Sequence, residues 1–527
     1  MPALYDYVVW YAEQTPDAEA TVHDGKRQSY RELRTRVDAL ARAMLASGVR
    51  SGDRVATLAA PNPHYYETFL ASVSIGAIWL GLNPRYRLEE LCYSSGDSRP
   101  NLLFASSRIG ERSYRREIHG ILERTPDLSR VVLLDDENGD NGEGSSPAIV
   151  TLSDFLEAGG SVTDAALDAA RQAVSGEAPC MIVYTSGSTG KPKGALLGQT
   201  GIIAFCEAQV AGWRANPMRV LNFLPINHVG CVVDVTCPAL IAGGCVVFLE
   251  DFSPQQSLQL MQDEKITLWG SVPSVFQLQL AESDFENYDL SAVQMIFWGG
   301  AAMPRETIER LLGFGCPLAT NYGMTESGSA IAAIPPSRDP DVLADTVGWP
   351  FPGVEVRLVK SDGDLASGDD VGEIQCRSVQ NMLGYWERPQ ATTETLSSDG
   401  WLSTGDLGRR NADGSYSIVG RVKEMYKSGG YNVYPREIEV TLESHPAVEV
   451  AAVVSAPDPL WQEVGVAYVT ANQAVTPATL LDYCRDRLAN YKLPKLLVVA
   501  DELPLLPIGK VDKVSLKKQA AETYQPA

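Results

Sequence analysis

No C-x-x-C pair and no His/Cys spacing suited to zinc occurs in this chain of 527 residues, which holds nine scattered cysteines and five histidines. An odd, unpatterned set of thiols reads as reduced cysteine of the cytosol, not as a disulfide framework. The G-x-S-x-G turn of serine hydrolases is absent as well. An excess of basic charge is missing: 44 Lys+Arg stand against 66 Asp+Glu, a formal net charge of −22. That balance excludes nucleic acid and anionic membranes as general partners. The longest uncharged apolar run, FLASVSIGAIWLGL (69–82), is too short to span a bilayer and reads as buried core. The opening MPALYDYVVWYAEQTPD carries acids inside its apolar part and does not read as a signal peptide. The expectation is a soluble cytoplasmic protein with no membrane span and no nucleic-acid partner; a homodimer stays open.

The chain is long enough for more than one domain. RVATLAA (54–60), VVLLDD (131–136), CMIVYT (180–185), VLNFLP (220–225), CVVFLE (245–250) and MIFWGG (295–300) read as buried strands. Turn residues and amphipathic stretches such as PRETIERLLGFG (304–315) alternate with them. This alternation predicts an α/β architecture with parallel sheets, whose ligands gather at the carboxyl ends of strands. Near residue 346 the texture changes: GVEVRLV, GEIQCRS and SYSIVGR, parted by DGD, SGDD and DGS, predict antiparallel strands. A compact α+β unit follows, with helices expected at about 436–445 and 477–489 and a domain boundary near 420–424. Residues 421–527 carry 12 Lys+Arg against 13 Asp+Glu, leaving 32 against 53 for the rest, so the terminal lysines stand out against an acidic body.

YTSGSTGKPKG (184–194) cannot build a core. Its glycines free the backbone, its hydroxyls donate hydrogen bonds and its lysines bring positive charge, a combination suited to a polyphosphate. It is not the G-x-x-x-x-G-K-[ST] loop, because Thr185 stands where that loop begins and Pro192 follows Lys191. Pro192 also biases Lys191 away from helical geometry. Four further stretches share this character. NYGMTES (321–327) sets Thr325 and Glu326 side by side, and WLSTGDLG (401–408) places Asp406 in a Gly turn. GRVKEMYKSGGYNVYPREIE (420–439) puts Arg421, Lys423 and Lys427 ahead of a Gly-Gly turn, and PLLPIGKVDK (504–513) holds Lys510 on a Pro/Gly loop. Taken singly, Glu326 reads as a metal ligand or a solvated acid, Asp406 as a ligand for sugar hydroxyls or a turn cap, and Lys510 as a surface lysine. Trp298 and Met324 read as core or pocket, and His228 as a satisfied buried histidine or a pocket wall.

In this order YTSGSTGKPKG, NYGMTES, WLSTGD, GRVKEMYKSGGYNVYP and PIGKVDK resemble the motif set of the adenylate-forming superfamily. That superfamily comprises acyl- and aryl-CoA ligases, peptide-synthetase adenylation domains and firefly luciferase. The similarity runs over essentially the whole chain, from SYRELR (29–34) to the terminal lysine loop. It implies a large N-terminal domain (1–420) of doubly wound sheets plus a small antiparallel β region, followed by a small mobile α+β domain (421–527). It implies an AMP-forming carboxylate–CoA ligase that uses ATP, Mg²⁺ and coenzyme A on a small-molecule carboxylic acid. A luciferase-like oxygenase, an adenylate donor to a carrier protein and a non-catalytic nucleotide-binding module are the alternatives.

Carried onto this chain, the resemblance gives the phosphates to Thr185, Ser186, Gly187, Ser188, Thr189 and Lys193, and Mg²⁺ to Glu326. Thr325 takes the α-phosphate, Gly300, Asn321 and Tyr322 frame adenine, and Asp406 and Arg421 hold the ribose. Lys510 bridges the substrate carboxylate and the α-phosphate. The C-terminal domain then turns about Lys423, removing Lys510 and bringing Lys427, Gly429 and Gly430 to coenzyme A. Tyr431 departs from the acidic or phenylalanine residue commoner after that turn. The chain runs about 17 residues beyond Lys510 without a carrier domain, so free coenzyme A is the expected acceptor. The acyl pocket is assigned to His228, Val229, Gly230, Cys231, Trp298, Gly299, Met324 and Ser329. No charged side chain is among these, so an apolar acid is expected, and Gly230, where many relatives are bulky, suits an aryl, branched or cyclic tail.

Overall fold

The structure is a computed structural model that describes residues 3–135, 146–185, 191–213, 215–428, 431–505 and 511–525. The chain divides into two compact units, Met1–Glu355 with Cys376–Leu402, and Val356–Gln375 with Ser403–Ala527. The antiparallel segments 356–375 and 403–420 are thus grouped with the C-terminal residues and not with the body of the chain.

The larger unit holds two extended sheets. In one, six strands run parallel in the order Leu318–Met324, Met295–Trp298, Leu268–Ser271, Arg219–Asn222, Cys245–Phe248 and Glu19–His23. Antiparallel strands close it at both edges, giving nine in all. In the other, Pro179–Thr185, Ile78–Leu82, Arg54–Leu58, Leu102–Ala105, Arg130–Leu133 and Ile149–Thr151 run parallel. Lys193–Gly198 and Gly384–Tyr385 extend that sheet antiparallel to eight strands.

All six expected strands are present, and their continuous apolar runs follow from burial on both faces. The run 69–82 is not one element. It finishes the helix Pro63–Ser74 and, after Gly76, forms the strand Ile78–Leu82. Asn62 caps that helix by accepting from the Tyr65 N–H at 3.3 Å, with Pro63 in its first turn.

The smaller unit is built on the antiparallel pair Val448–Asp458 and Gln462–Ala471. Alternation sends Ala451, Val453, Ala467 and Val469 into one core with Ile438, Leu442 and Leu480. Ala452, Val454, Val464 and Val466 go to the other face, with Leu516 and Ala520. The two expected helices are Pro435–Glu443 and Pro477–Arg485. Among the described residues no helix is long and apolar enough to cross a membrane.

Candidate active site

Thr185 ends one parallel strand and pairs in register with Lys193 on the antiparallel neighbour. Lys193 therefore leaves on a strand and not at the start of a helix, as Pro192 requires. Met324 ends a strand of the other sheet, and the 3₁₀ turn Thr325–Ser327 follows. The two strand ends meet: the Thr185 hydroxyl donates to Glu326 Oε1 at 3.1 Å. A second hydroxyl, Tyr385, donates to the same oxygen at 2.8 Å. Glu326 is 6 % exposed and Thr325 8 %, so neither is a solvated surface group. Burial, with the Glu326 carboxylate beside it, pushes the Tyr385 hydroxyl well above the usual tyrosine range and keeps it a donor. Lys193 Nζ lies 4.9 Å from the Tyr385 ring centroid.

Tyr385 was not among the expected site residues, because nothing local in GYWERP marks it. Its place is set by distant partners. The Met382 N–H donates to the Glu326 carbonyl at 2.7 Å, and Tyr385 pairs with Ala195. Beyond it, Asp97 accepts from the Tyr184 hydroxyl at 2.8 Å and from Arg388, while the Trp386 indole donates to the Asp97 carbonyl at 3.0 Å.

Three residues were expected to frame adenine: Gly300, Asn321 and Tyr322. Gly300 has φ +83°, a conformation that favours glycine. A Cβ on Gly299 would stand 2.7 Å from Asn321 Oδ1, so the glycine lets the carboxamide lie against the strand end. Asn321 Nδ2 is buried with no hydrogen-bond partner among the described residues, a donor left over for a ligand. Tyr322 follows Asn321 in the same strand.

The acyl-pocket residues separate. His228 is exposed, which removes the buried-histidine reading; its Nδ1 accepts from the Gly230 N–H at 3.0 Å, so the neutral ring carries its proton on Nε2. Cys231 is fully buried and takes part in a polar network. Asn222 Nδ2 donates to the Cys231 carbonyl at 3.2 Å and to Thr236 Oγ1 at 2.9 Å, and the Cys231 thiol meets the Tyr65 hydroxyl. Burial pushes that thiol up to about 12. Val229 is 5 % exposed and Trp298 1 %, the latter inside the core of the nine-stranded sheet. Trp298 and Cys231 are thus both buried side chains. A short π-helical turn, Gly230–Thr236, carries Gly230 and Cys231, and which face each takes could not be read from spacing.

Ser329 hydrogen-bonds a residue absent from the expected set, Asp234. The hairpin is unusual here. A Cβ on Gly323 would lie 1.7 Å from the Ser329 carbonyl oxygen, so only glycine admits this approach. Ser329 itself has φ +134°, strained for a residue with a side chain. Asp234 sets a carboxylate beside Ser329, one of the residues expected at the acyl pocket. Its signal was available: a lone acid inside the apolar run 229–241.

In the smaller unit Asp406 and Arg421 pair in register and form an ion pair of 2.9 Å. Lys423 and Lys427 are exposed, and Tyr431 stacks on Tyr491 at 4.6 Å. Lys513, in the last motif, is anchored by Glu424 at 2.5 Å and Glu439 at 2.8 Å. Ser186, Gly187, Ser188, Thr189, Gly429, Gly430 and Lys510 lie outside the described residues.

A family model for AMP-binding enzyme matches residues 8–386. The chain belongs to the AMP-binding enzyme family. The C-terminal domain model of the same family matches residues 437–510. A feruloyl-CoA synthase from Amycolatopsis is 33 % identical over 519 residues, covering 98 % of this chain and 99 % of its own. An indoleacetate–CoA ligase from Aromatoleum aromaticum is 32 % identical, with 98 % of each chain covered. The ATP-bound structure of MatB from Rhodopseudomonas palustris superposes with TM-score 0.85 at 27 % identity, covering 99 % of this chain and all of that one.

Proposed function

We propose that this enzyme activates an aryl or arylalkyl carboxylic acid with ATP as the acyl-adenylate and passes the acyl group to coenzyme A, releasing AMP and pyrophosphate. Membership of the AMP-binding enzyme family carries the ligase class. The aromatic tail is supported by the names of the two relatives. The observation that carries the reading is the meeting of Thr185, Glu326 and Tyr385 at the carboxyl ends of two parallel sheets.

A carboxylate is a poor acyl donor until its oxygen is joined to AMP. In the first step its oxygen attacks the α-phosphorus, forming the acyl–phosphate bond and breaking the bond to pyrophosphate. Nucleophile and phosphate are both anionic, so alignment and charge neutralisation dominate the catalysis. Lys193 brings positive charge beside Thr185, and the hydroxyls and backbone of Thr185, Ser186, Gly187, Ser188 and Thr189 hold the β- and γ-phosphates. Thr325 holds the α-phosphate, and Asn321 Nδ2 is the spare donor for the base framed by Gly300 and Tyr322. Asp406 and Arg421 hold the ribose, and Lys510 joins the two reacting groups.

Among the described residues no cluster of three or more acidic, His or Cys ligands could cage a metal. Both hydrogen bonds to the Glu326 side chain from those residues land on Oε1. That donor set fits Mg²⁺ held by one carboxylate and substrate phosphates. On Glu326, Mg²⁺ would supply positive charge to the phosphates as negative charge develops. For the second step, residues 421–527 turn about Lys423, and Lys427 with the Gly429-Gly430 turn admits the thiol of coenzyme A.

The test is product identity. ATP, Mg²⁺, coenzyme A and a panel of aryl and arylalkyl acids should give AMP, pyrophosphate and acyl-CoA. Formation of ADP and phosphate contradicts the reading.

A further inference from the structure

Asp234 has no role in the chemistry above. Its side chain is enclosed by the π-helical turn Gly230–Thr236, the helix Gln199–Gly212 and the strand Ser329–Ser337. The Gln209 amide donates to the Asp234 carbonyl at 3.1 Å, Cys206 donates to the Val233 carbonyl at 3.4 Å, and Ser329 donates to Asp234 Oδ1. Asp234 is half-buried, unlike its neighbours Val233 and Val235, which are buried. Among the described residues no cation lies at ion-pair distance. Burial raises its carboxyl to about 6, and Ser329 offsets only part of that.

A carboxylate enclosed with one neutral hydroxyl partner costs stability. The conformation that brings that hydroxyl to it, φ +134° at Ser329, costs more. Strained backbone and π-helical turns both cluster at functional sites. The position gives the reason. Ser329 stands three residues beyond Glu326, and Asp234 shares its turn with Gly230. The turn is held at Thr236, whose hydroxyl meets the Tyr65 hydroxyl and accepts from Asn222, so the Asp234 position is fixed relative to Gly230.

We infer that Asp234, held by Ser329, is a specificity residue that accepts a hydrogen bond from a hydroxyl, N–H or amino group on the tail of the acid, remote from the reacting carboxyl. This rests on the ligase reading. A tail ending in a methyl group would leave the carboxylate desolvated without a donor, and sites built to bind a donor discriminate strongly against analogues without one.

The experiment measures kcat/KM for acid-dependent pyrophosphate release by the full chain with ATP and Mg²⁺. Benzoic, phenylacetic and 3-phenylpropanoic acids are compared as para-hydroxy, para-amino and para-methyl forms, and 6-hydroxyhexanoic acid is compared with heptanoic acid. In the series of fitting length the wild type should favour a donor over methyl by about tenfold or more. The hydroxy and amino arms show whether a neutral or a cationic donor is preferred. Asp234→Ala should bring the ratio to about one. Asp234→Asn, which keeps volume and one acceptor oxygen, should lie between, and guards against misfolding in the alanine variant. A wild-type ratio of one or less in every series overturns the inference, as does a ratio unchanged in both variants, or a loss equal for donor and methyl acids. No pyrophosphate from any acid with wild type contradicts the ligase reading itself.

Discussion

Glu326 and Asp234 are both carboxylates enclosed in the larger unit, each held by hydroxyl groups and each tied to the same hairpin. Glu326 accepts from Thr185 and Tyr385 at one oxygen, and Lys193 Nζ lies by the ring of that tyrosine. Asp234 accepts from Ser329 and has no cation in reach among the described residues. The first arrangement suits a charge that must stay negative and meet phosphate-bound cations. The second suits an acceptor for a donor that arrives with the substrate. One acid is thus predicted to set the rate for every substrate, the other to set the order among substrates.

The largest effect should come from Glu326→Gln. It keeps shape and removes the charge, and adenylation should fall about 10²–10³-fold with the fold intact. Near-normal AMP formation at low Mg²⁺ would contradict the assignment. On the tail side, Gly230→Tyr comes next. A Cβ there would stand 3.1 Å from His228 Nδ1 and 3.6 Å from Leu224 Cδ1, so a side chain would press on the exposed His228 ring, which must give way. Preference should move toward smaller acids by about 10–200-fold, with the KM for ATP unchanged. An unchanged ranking would remove residue 230 from the pocket.

Tyr385→Phe takes one of the two donors from Glu326. As a positioning residue, Tyr385 should affect the half-saturating Mg²⁺ concentration, raising it by about 10–100-fold. The rate at saturating Mg²⁺ should largely recover; equal loss at all Mg²⁺ concentrations would indicate a merely structural role. The smallest effect concerns stability. The Asp234 carboxyl is raised to about 6 in the folded chain, against about 3.9 unfolded. Its stabilising contribution is therefore full below about pH 4 and lost as pH rises through about 6. Asp234→Asn should raise Tm at pH 7.5, corresponding to about 2–3 kcal/mol, and the gain should vanish near pH 4. A gain independent of pH would show that the charge is not what costs stability.

Much of this architecture could be read from the chain. Apolar runs of four to seven residues became parallel strands because both faces of each sheet are covered. That Lys193 does not open a helix followed from Pro192, and the place of Thr325-Glu326 followed from the strand end before them. Tyr385 could not be read, since its hydroxyl reaches Glu326 across 59 residues through pairings that no local pattern encodes. For Cys231 the limit of the sequence is different. Composition gives burial but not direction, and on a π-helical turn the usual 3.6-residue spacing does not say which face a residue takes. Asp234 was within reach of sequence reasoning, as an isolated acid in an apolar run.

The comparison of the two acids is tested most directly by acid-dependent ATP–pyrophosphate exchange, measured over the hydroxy, amino and methyl acids for wild type, Glu326→Gln and Asp234→Asn. Glu326→Gln should lower exchange for every acid by a similar large factor and leave their order unchanged. Asp234→Asn should compress the spread between donor and methyl acids. Exchange near wild type in Glu326→Gln, or a uniform loss across all acids in Asp234→Asn, would contradict the division of labour between them.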